Sequence, residues 1–441
     1  MPMTFARLLD PSFEDDDDPF RHYDVRGEPL EDRLYLPCGI DPHKEVCYAA
    51  FVHPLPHRQK ILSHRSIPNR DLQSALWLVQ EGQRLADQFD ATPIYVFETS
   101  GPYWRPYRLF LHQLGLPTAT VSGRQTKRAG GTGTRKTVND LKAAFLIAKI
   151  FKQGESHASR VPPEPLASLR EYTRLHFFFV KHSVAIQNRM FDIRYQIHPG
   201  FAGRNGLLSK STIPSALALA KQELVHPAKL LKADHDELAQ ILRRASRGKL
   251  GDQLATALHH SALTVFLSPY AVDALSFNLR MLAEAYEHIH HHILPPIRAR
   301  IDECLSQLPF EQYLPEIPYV GPVTTGTFLG ELGLSSWFKT VDSVVAWFGF
   351  DPSISESADH KTGISHLTKR GTKYGRRVWW LLARNWSRYV SQGCRMFKKE
   401  FYVNKLSYDG AICVIAAKLV RIAFAMVRDG AHFDMSKAFP S

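Results

Sequence analysis

Between residues 34 and 121 the chain alternates short apolar runs with stretches of helical spacing. Two runs, residues 34–40 and 46–52, read as strands joined by the polar turn DPHKE, and residues 59–67 read as a third. Residues 71–89 then carry Leu72, Ala75, Leu76, Val79 and Leu85 on one helical face. A strand over 94–97, a helix over 103–114 stopped by Gly115, and a short strand over 118–121 follow. Strands first, then helix and strand in turn, predict an α/β layer.

Carboxylates mark the ends of these elements. Asp41 closes the first run, in LYLPCGIDPHK, and Glu98 closes another, in PIYVFETSG. Asp140 opens a helix predicted over 137–152. Acids gathered from separate elements suit Mg²⁺, which prefers hard oxygen ligands. A two-ion phosphoryl-transfer site needs about four carboxylates. The fourth would stand one helical turn beyond Asp140, where the chain has Ala143. Three acids alone are weak grounds, because carboxylates at such positions often only cap helices.

Charge points to the partner. The chain has 441 residues, a net charge of +12 and a pI of about 9.4, which suits a polyanion, nucleic acid first. Lys127, Arg128, Arg135 and Lys136 flank a glycine-rich linker, KRAGGTGTRK, able to touch phosphates. It lacks the ending of a P-loop, and a mobile surface loop explains it equally well. From Lys369 to Lys399 there are ten Lys or Arg residues and no acid, among them Lys369, Arg370, Lys373, Arg376 and Arg377. That stretch should meet phosphate directly. Trp379, Trp380, Trp386 and Tyr389 lie within it at a helical spacing that favours core packing over base stacking.

Other classes are disfavoured. The five cysteines form no CxxC pair, so a zinc ribbon is not expected, and their odd count fits a reducing cytosol. No apolar run approaches the ~18 residues of a membrane span. The N-terminal EDDDD replaces the apolar core of a signal peptide. Residues 1–33 read as a flexible acidic tail. The segment VPPEP opens a long helical region, about 166–308, interrupted near 198–201, 226–229 and 268–270. His288, His290, His291 and His292 point in different directions on one helix and are read as a polar helix end, not a metal site. Beyond residue 308, IPYVGPVTTGTFLGELG reads as two short helices about a Val-Gly-Pro turn, similar to a helix-hairpin-helix.

In order along the chain these segments resemble one family, the DEDD-type transposases of bacterial insertion sequences of family one-ten, which are bridge-RNA-guided serine recombinases. GIDPHK is similar to the family's GIDVHK-type motif, FETSGPYW to E-x-TG-x-Y, and RKTVNDLKAAFLIA to KTD-x-x-DA-x-x-IA. IPYVGP resembles IPGIGP, WFGFDPSISESA resembles YAGLxPxxxQSG, and LTKRGTKYGRR resembles ISKRGNKYLRR. The resemblance spans about residues 34–430.

It implies an α/β RuvC-like domain of RNase H fold (34–155), a helical coiled-coil arm (156–307) and a mainly α transposase domain (308–430) before a tail (431–441). It implies that Ser357 attacks a DNA phosphate to form a phosphoserine link, assisted by Mg²⁺ held by Asp41, Glu98 and Asp140. Structured noncoding bridge RNA, donor and target double-stranded DNA, and further copies of the chain in a dimer or tetramer are the implied partners. The implied location is the bacterial cytoplasm, at the nucleoid. Ala143 replaces the family's second aspartate of that motif. Either the site is a three-carboxylate one, or the chain is an aspartate-to-alanine variant made to trap a complex, with reduced or no activity. Two other functions remain in contention: a RuvC-like nuclease using metal-activated water on branched DNA, and a non-catalytic RNA- and DNA-binding protein.

Overall fold

The computed structural model describes residues 34–69, 71–130, 140–158, 161–201, 207–208, 210, 212–265, 270–309, 313–351, 356–357, 360–361, 367 and 371–439. It divides into two compact units, residues 1–162 and 163–441.

The first unit is built on a six-stranded mixed sheet of order β3-β2-β1-β4-β5-β6. Strands β1 (Tyr35–Pro42), β2 (Val46–Val52) and β3 (Ile61–Pro68) form an antiparallel meander. Helix α1 (Leu72–Phe89) leads to β4 (Thr92–Glu98), which pairs parallel to β1. Helix α2 (Trp104–Gln113) leads to β5 (Thr118–Val121), parallel to β4. Helix α3 (Gly123–Gly130), helix α4 (Asp140–Lys152) and the short antiparallel β6 (His157–Ala158) complete the unit. Asp71 caps α1 by accepting from the Gln73 and Ser74 amides.

Strand alternation sorts the side chains onto two faces. Leu36, Cys38, Ile40, Tyr95 and Phe97 join Leu78, Leu85 and Leu111 on the face covered by α1 and α2. Tyr35, Ile94, Val96, Ala119 and Val121 pack with Ile147, Ile150 and Phe151 of α4 on the other. By the same alternation, Asp41, Tyr48 and Glu98 fall on the α4 face.

The second unit is almost wholly helical. Helix α5 (Leu166–Ile197) runs for 32 residues. The break at 198–201 holds a 3₁₀ turn, Pro199–Phe201. Helices α6 (Pro214–Lys221), α7 (Pro227–Leu230), α8 (His235–Ser246) and α9 (Asp252–Thr264) follow. Helix α10 (Val272–His288) passes through a π-helical turn, Ile289–Ile293, into α11 (Leu294–Ser306). The histidine cluster therefore lies inside a continuing helix, not at its end. The π-turn accommodates Pro295 and Pro296 just beyond it, and the His288 and His292 rings stack with centroids 5.2 Å apart.

Leu166 and Leu169 of α5 and Ile297 and Ile301 of α11 belong to one core. Met190, Ile193 and Ile197 of α5 belong to a second, with α6, α8, α9 and α10. Helix α5 thus links two cores as the long element of a helical hairpin.

The first core continues through α12 (Pro322–Leu332), α13 (Val341–Trp347), α14 (Lys373–Tyr389), α15 (Ser391–Lys398) and α16 (Tyr408–Asp429). Among the described residues a 3₁₀ turn, Leu314–Glu316, stands ahead of the turn before α12, where the sequence predicts a first helix. Strands β7 (Glu356–Ser357) and β8 (His360–Lys361) form a small hairpin, and α17 (Met435–Ala438) ends the described chain. Although Lys418 and Arg421 interrupt its apolar run, α16 has the length and mean hydropathy of a span. Its apolar face, Ile412, Ile415, Leu419, Val420 and Phe424, is buried in this core, which accounts for its hydropathy.

Candidate metal centre and nucleic-acid interface

The close approach of α4 to β1 builds the acidic site. A Cβ at Gly39 would collide with the backbone carbonyl of Ala144, so glycine lets the helix sit directly on the strand. Four residues back along α4 is about 6 Å, and two residues on along β1 is about 6.6 Å. Asp140 and Asp41 are thereby carried the same distance from that contact, to the same end of the sheet.

His43, two residues after Asp41, stands between the two acids. Its Nε2 is 3.2 Å from Asp41 Oδ2 and 3.7 Å from Asp140 Oδ1. Ligand atoms of Asp41, His43 and Asp140 all lie within 4.8 Å of one another. Tyr48 pairs directly across from Asp41. Its hydroxyl hydrogen-bonds Asp140, which raises the phenol above its usual range. The His43 and Tyr48 rings meet edge to face at 5.9 Å.

Glu98 is one step beyond the Ile40–Phe97 pair and therefore level with Asp41. It is not part of the tight group. A Cβ on Gly123 would be 3.0 Å from Glu98 Oε1, so this carboxylate lies against the start of α3. The carboxyl of Asp41 is pushed up, first by burial and then by the negative charges of Glu98 and Asp140; His43 pulls it the other way. Crowded carboxylates held with an imidazole form a donor set that a divalent cation neutralises, so the residues present fit a metal. Ala143 is half-buried, one turn into α4.

Three of the four sequence-predicted catalytic residues are thus gathered in the first unit. Ser357 belongs to the second, on β7, in register with His360 of β8; its side chain lies outside the described atoms. Arg135, Lys136, Lys369 and Arg370 also lie outside the described residues.

Lys127 and Arg128, expected in a flexible linker, instead belong to helix α3. A capping pair starts that helix: Gln125 Oε1 accepts from the Ser122 amide at 2.8 Å and from its hydroxyl at 2.8 Å. Arg124, Lys127 and Arg128 are exposed along it at helical spacing.

In α14 the basic residues divide. Lys373 and Arg377 are exposed, whereas Arg376 is half-buried. The aromatics divide as well: Trp379 and Trp386 are core residues, and Tyr389 is exposed.

The sequence reading missed His43, Tyr48 and Glu331. The first was signalled only by its position two residues from Asp41. Glu331 is fully buried in α12. It receives Arg174 through Nε at 2.6 Å and Nη2 at 3.0 Å, and the Thr372 hydroxyl at 2.8 Å. Burial opposes the charge on Arg174, but the hydrogen bonds and charge of Glu331 outweigh it and raise the guanidinium further. Thr372 also caps α14, and its amide donates to the Trp347 carbonyl at 2.8 Å. The buried ion pair therefore sits beneath the point where the basic helix begins, and α13 is tied to that point.

A transposase model of the DEDD type matches residues 38–199, and the model of the transposase IS116/IS110/IS902 family matches residues 311–398. Together they take in more than half of the chain. Among solved structures the chain is similar to RuvC of Thermus thermophilus, at 13% identity over 28% of this chain and 99% of that one, with a TM-score of 0.22. It is likewise similar to T. thermophilus RuvC in complex with a Holliday junction substrate, at 13% identity over 28% and 99%, with a TM-score of 0.21. No curated protein matches. The two family models, in order along the chain, establish that the chain belongs to the IS110 family of transposases, enzymes that recombine DNA.

Proposed function

We propose that this transposase cuts and rejoins donor and target DNA through a serine-phosphate intermediate on Ser357, with a structured noncoding RNA as guide and Mg²⁺ as the ion at the acidic cluster. The single observation that carries the reading is the convergence of Asp41 and Asp140, with Glu98 level on the next strand, at one end of the sheet. The strand order, an antiparallel meander followed by two parallel strands, supports an RNase H-type fold for residues 34–155.

Asp41 and Asp140 would hold the ion, with Glu98 beside them. A bound divalent cation supplies charge neutralisation at a phosphate and lowers the pKa of an attacking oxygen. His43 fixes the Asp41 carboxylate by a hydrogen bond, and Tyr48 fixes Asp140. The exposed cations of α3 and α14 bind phosphates and position the strands. A serine hydroxyl is a weak nucleophile at its free pKa and needs this activation. The chain is read as acting in a dimer or tetramer, because strand exchange at two DNA sites needs several protomers.

Purification with bound nucleic acid tests the reading. RNA recovered from the chain should contain loops complementary to both DNA sites. Strand transfer should require that RNA and Mg²⁺, and should fall to background in Asp41→Ala. Transfer without RNA, or an Asp41→Ala protein as active as the parent, would refute it.

A further inference from the structure

The turn ahead of α12 holds a backbone that its residue does not favour. Tyr319 has φ +69, in the left-handed region that a bulky residue rarely adopts. Its surroundings impose that conformation. Ile317 and Val320 are buried on either side. The Val320 amide donates to the Ile317 carbonyl at 3.0 Å, and Trp386 Nε1 donates to the Pro318 carbonyl at 2.8 Å. A glycine would take this conformation without strain.

The tyrosine ring gains little packing in return. It is 55% exposed and lies beside Tyr389, itself 65% exposed, with centroids 5.9 Å apart at 38°. Strained backbone conformations of this kind cluster at ligand-binding and active sites.

Behind the ring, a groove of about 230 Å³ runs between α5, α12 and α14. Phe177, Val323 and Leu382 make its walls apolar. The guanidinium of Arg377 stacks 4.8 Å over the Phe177 ring, giving the groove a flat cationic lip. Asn385 also lines it, and its amide has no partner among the described residues. Lys373, Arg377 and Arg388 are exposed along the same helix, in a stretch without acids.

Apolar walls, a free amide and surrounding cations suit a planar base with its phosphates outside. The volume lies below the ~300–1,000 Å³ of drug-sized pockets and suits one ring system. A paired base is buried in its stack and is not available to such a groove. An enzyme that recombines DNA passes strands through unpaired states, which supplies the occupant.

We infer that the α5–α12–α14 groove captures one unpaired base of single-stranded DNA, stacked on Tyr319 and Tyr389, with Arg377 and Arg388 on the flanking phosphates. This rests on the nucleic-acid reading given under Proposed function and adds the strand type and the residues that select it.

The test uses the full chain and a single-stranded oligodeoxynucleotide carrying 2-aminopurine, with its duplex and an RNA strand of the same sequence as further arms. Single-stranded DNA should change the 2-aminopurine emission on binding. Tyr319→Gly and Tyr389→Leu should each weaken that strand roughly tenfold and leave duplex affinity unchanged. Tyr319→Gly should keep or raise the Tm, because it releases the left-handed strain while removing the ring. Unchanged single-strand affinity in both variants, an equal loss for duplex, or capture of RNA in place of DNA overturns the groove assignment. A parent chain that binds no nucleic acid of any form overturns the broader reading as well.

Discussion

Gly39 lies directly beneath the carbonyl of Ala144, and this contact holds Asp140 at the same end of the sheet as Asp41. Gly39→Ala places a methyl group where that carbonyl is. Helix α4 must then lift from β1, at an overpacking cost of about 1–3 kcal/mol. The expected outcome is a lower Tm together with loss of metal-dependent DNA cleavage, although neither carboxylate has been changed. Cleavage retained at the parental rate would show that the acids need no such register.

Ala143 is half-buried one turn into α4, beside Asp140. Ala143→Asp supplies a further carboxylate to the cluster. Isothermal titration should show tighter binding of Mg²⁺ or Mn²⁺, and cleavage at limiting metal should rise about tenfold or more, matching a gain of ~1.4 kcal/mol or more in metal binding. No change in either quantity would mark the site as complete with its present acids.

Glu331, itself buried, holds Arg174 and the Thr372 cap. Glu331→Gln leaves the half-buried Arg174 guanidinium without its counter-charge, a loss of roughly 2–4 kcal/mol. Urea unfolding should show that loss, and proteolysis near residue 372 should quicken because the cap weakens with it. Stability equal to the parent would mean that water reaches Arg174 and replaces the pair.

Burial lowers the imidazoles of His176 and His198 to about 4. In the unfolded chain a histidine titrates near ~6.5. Their contribution is therefore fully present above about pH 6.5 and is lost as the pH falls toward 4. The free energy of unfolding should decline across that window, by roughly 3 kcal/mol for each group. His198→Asn should flatten part of the decline. An identical slope in the variant would place the titration elsewhere.

Much of this architecture was legible from periodicity. The helix read from apolar spacing over 71–89 and the short strand at 118–121 stand where the sequence put them. The three acids were found because each ends or begins an element. What failed was non-local. Lys127 and Arg128 looked like linker residues because glycines follow them, yet the Ser122–Gln125 pair starts a helix there. His43 acquires its place only when α4 folds back on β1, and no local pattern announces that. Glu331 reads as one acid in an apolar helix; Arg174, its partner, is 157 residues away. The strain at Tyr319 was equally hidden, since it arises from contacts of Pro318 with α14.

The central claim is that Ser357 becomes covalently joined to DNA with the help of the Asp41–Asp140 cluster. The direct measurement is mass spectrometry of denatured, nuclease-treated protein after reaction with cognate RNA and DNA, in the parent and in Ala143→Asp. The account predicts a nucleotide adduct on the peptide containing Ser357, stronger in Ala143→Asp and absent from Ser357→Ala and Asp41→Ala. Cleaved DNA without any adduct, or undiminished cleavage by Ser357→Ala, would contradict it.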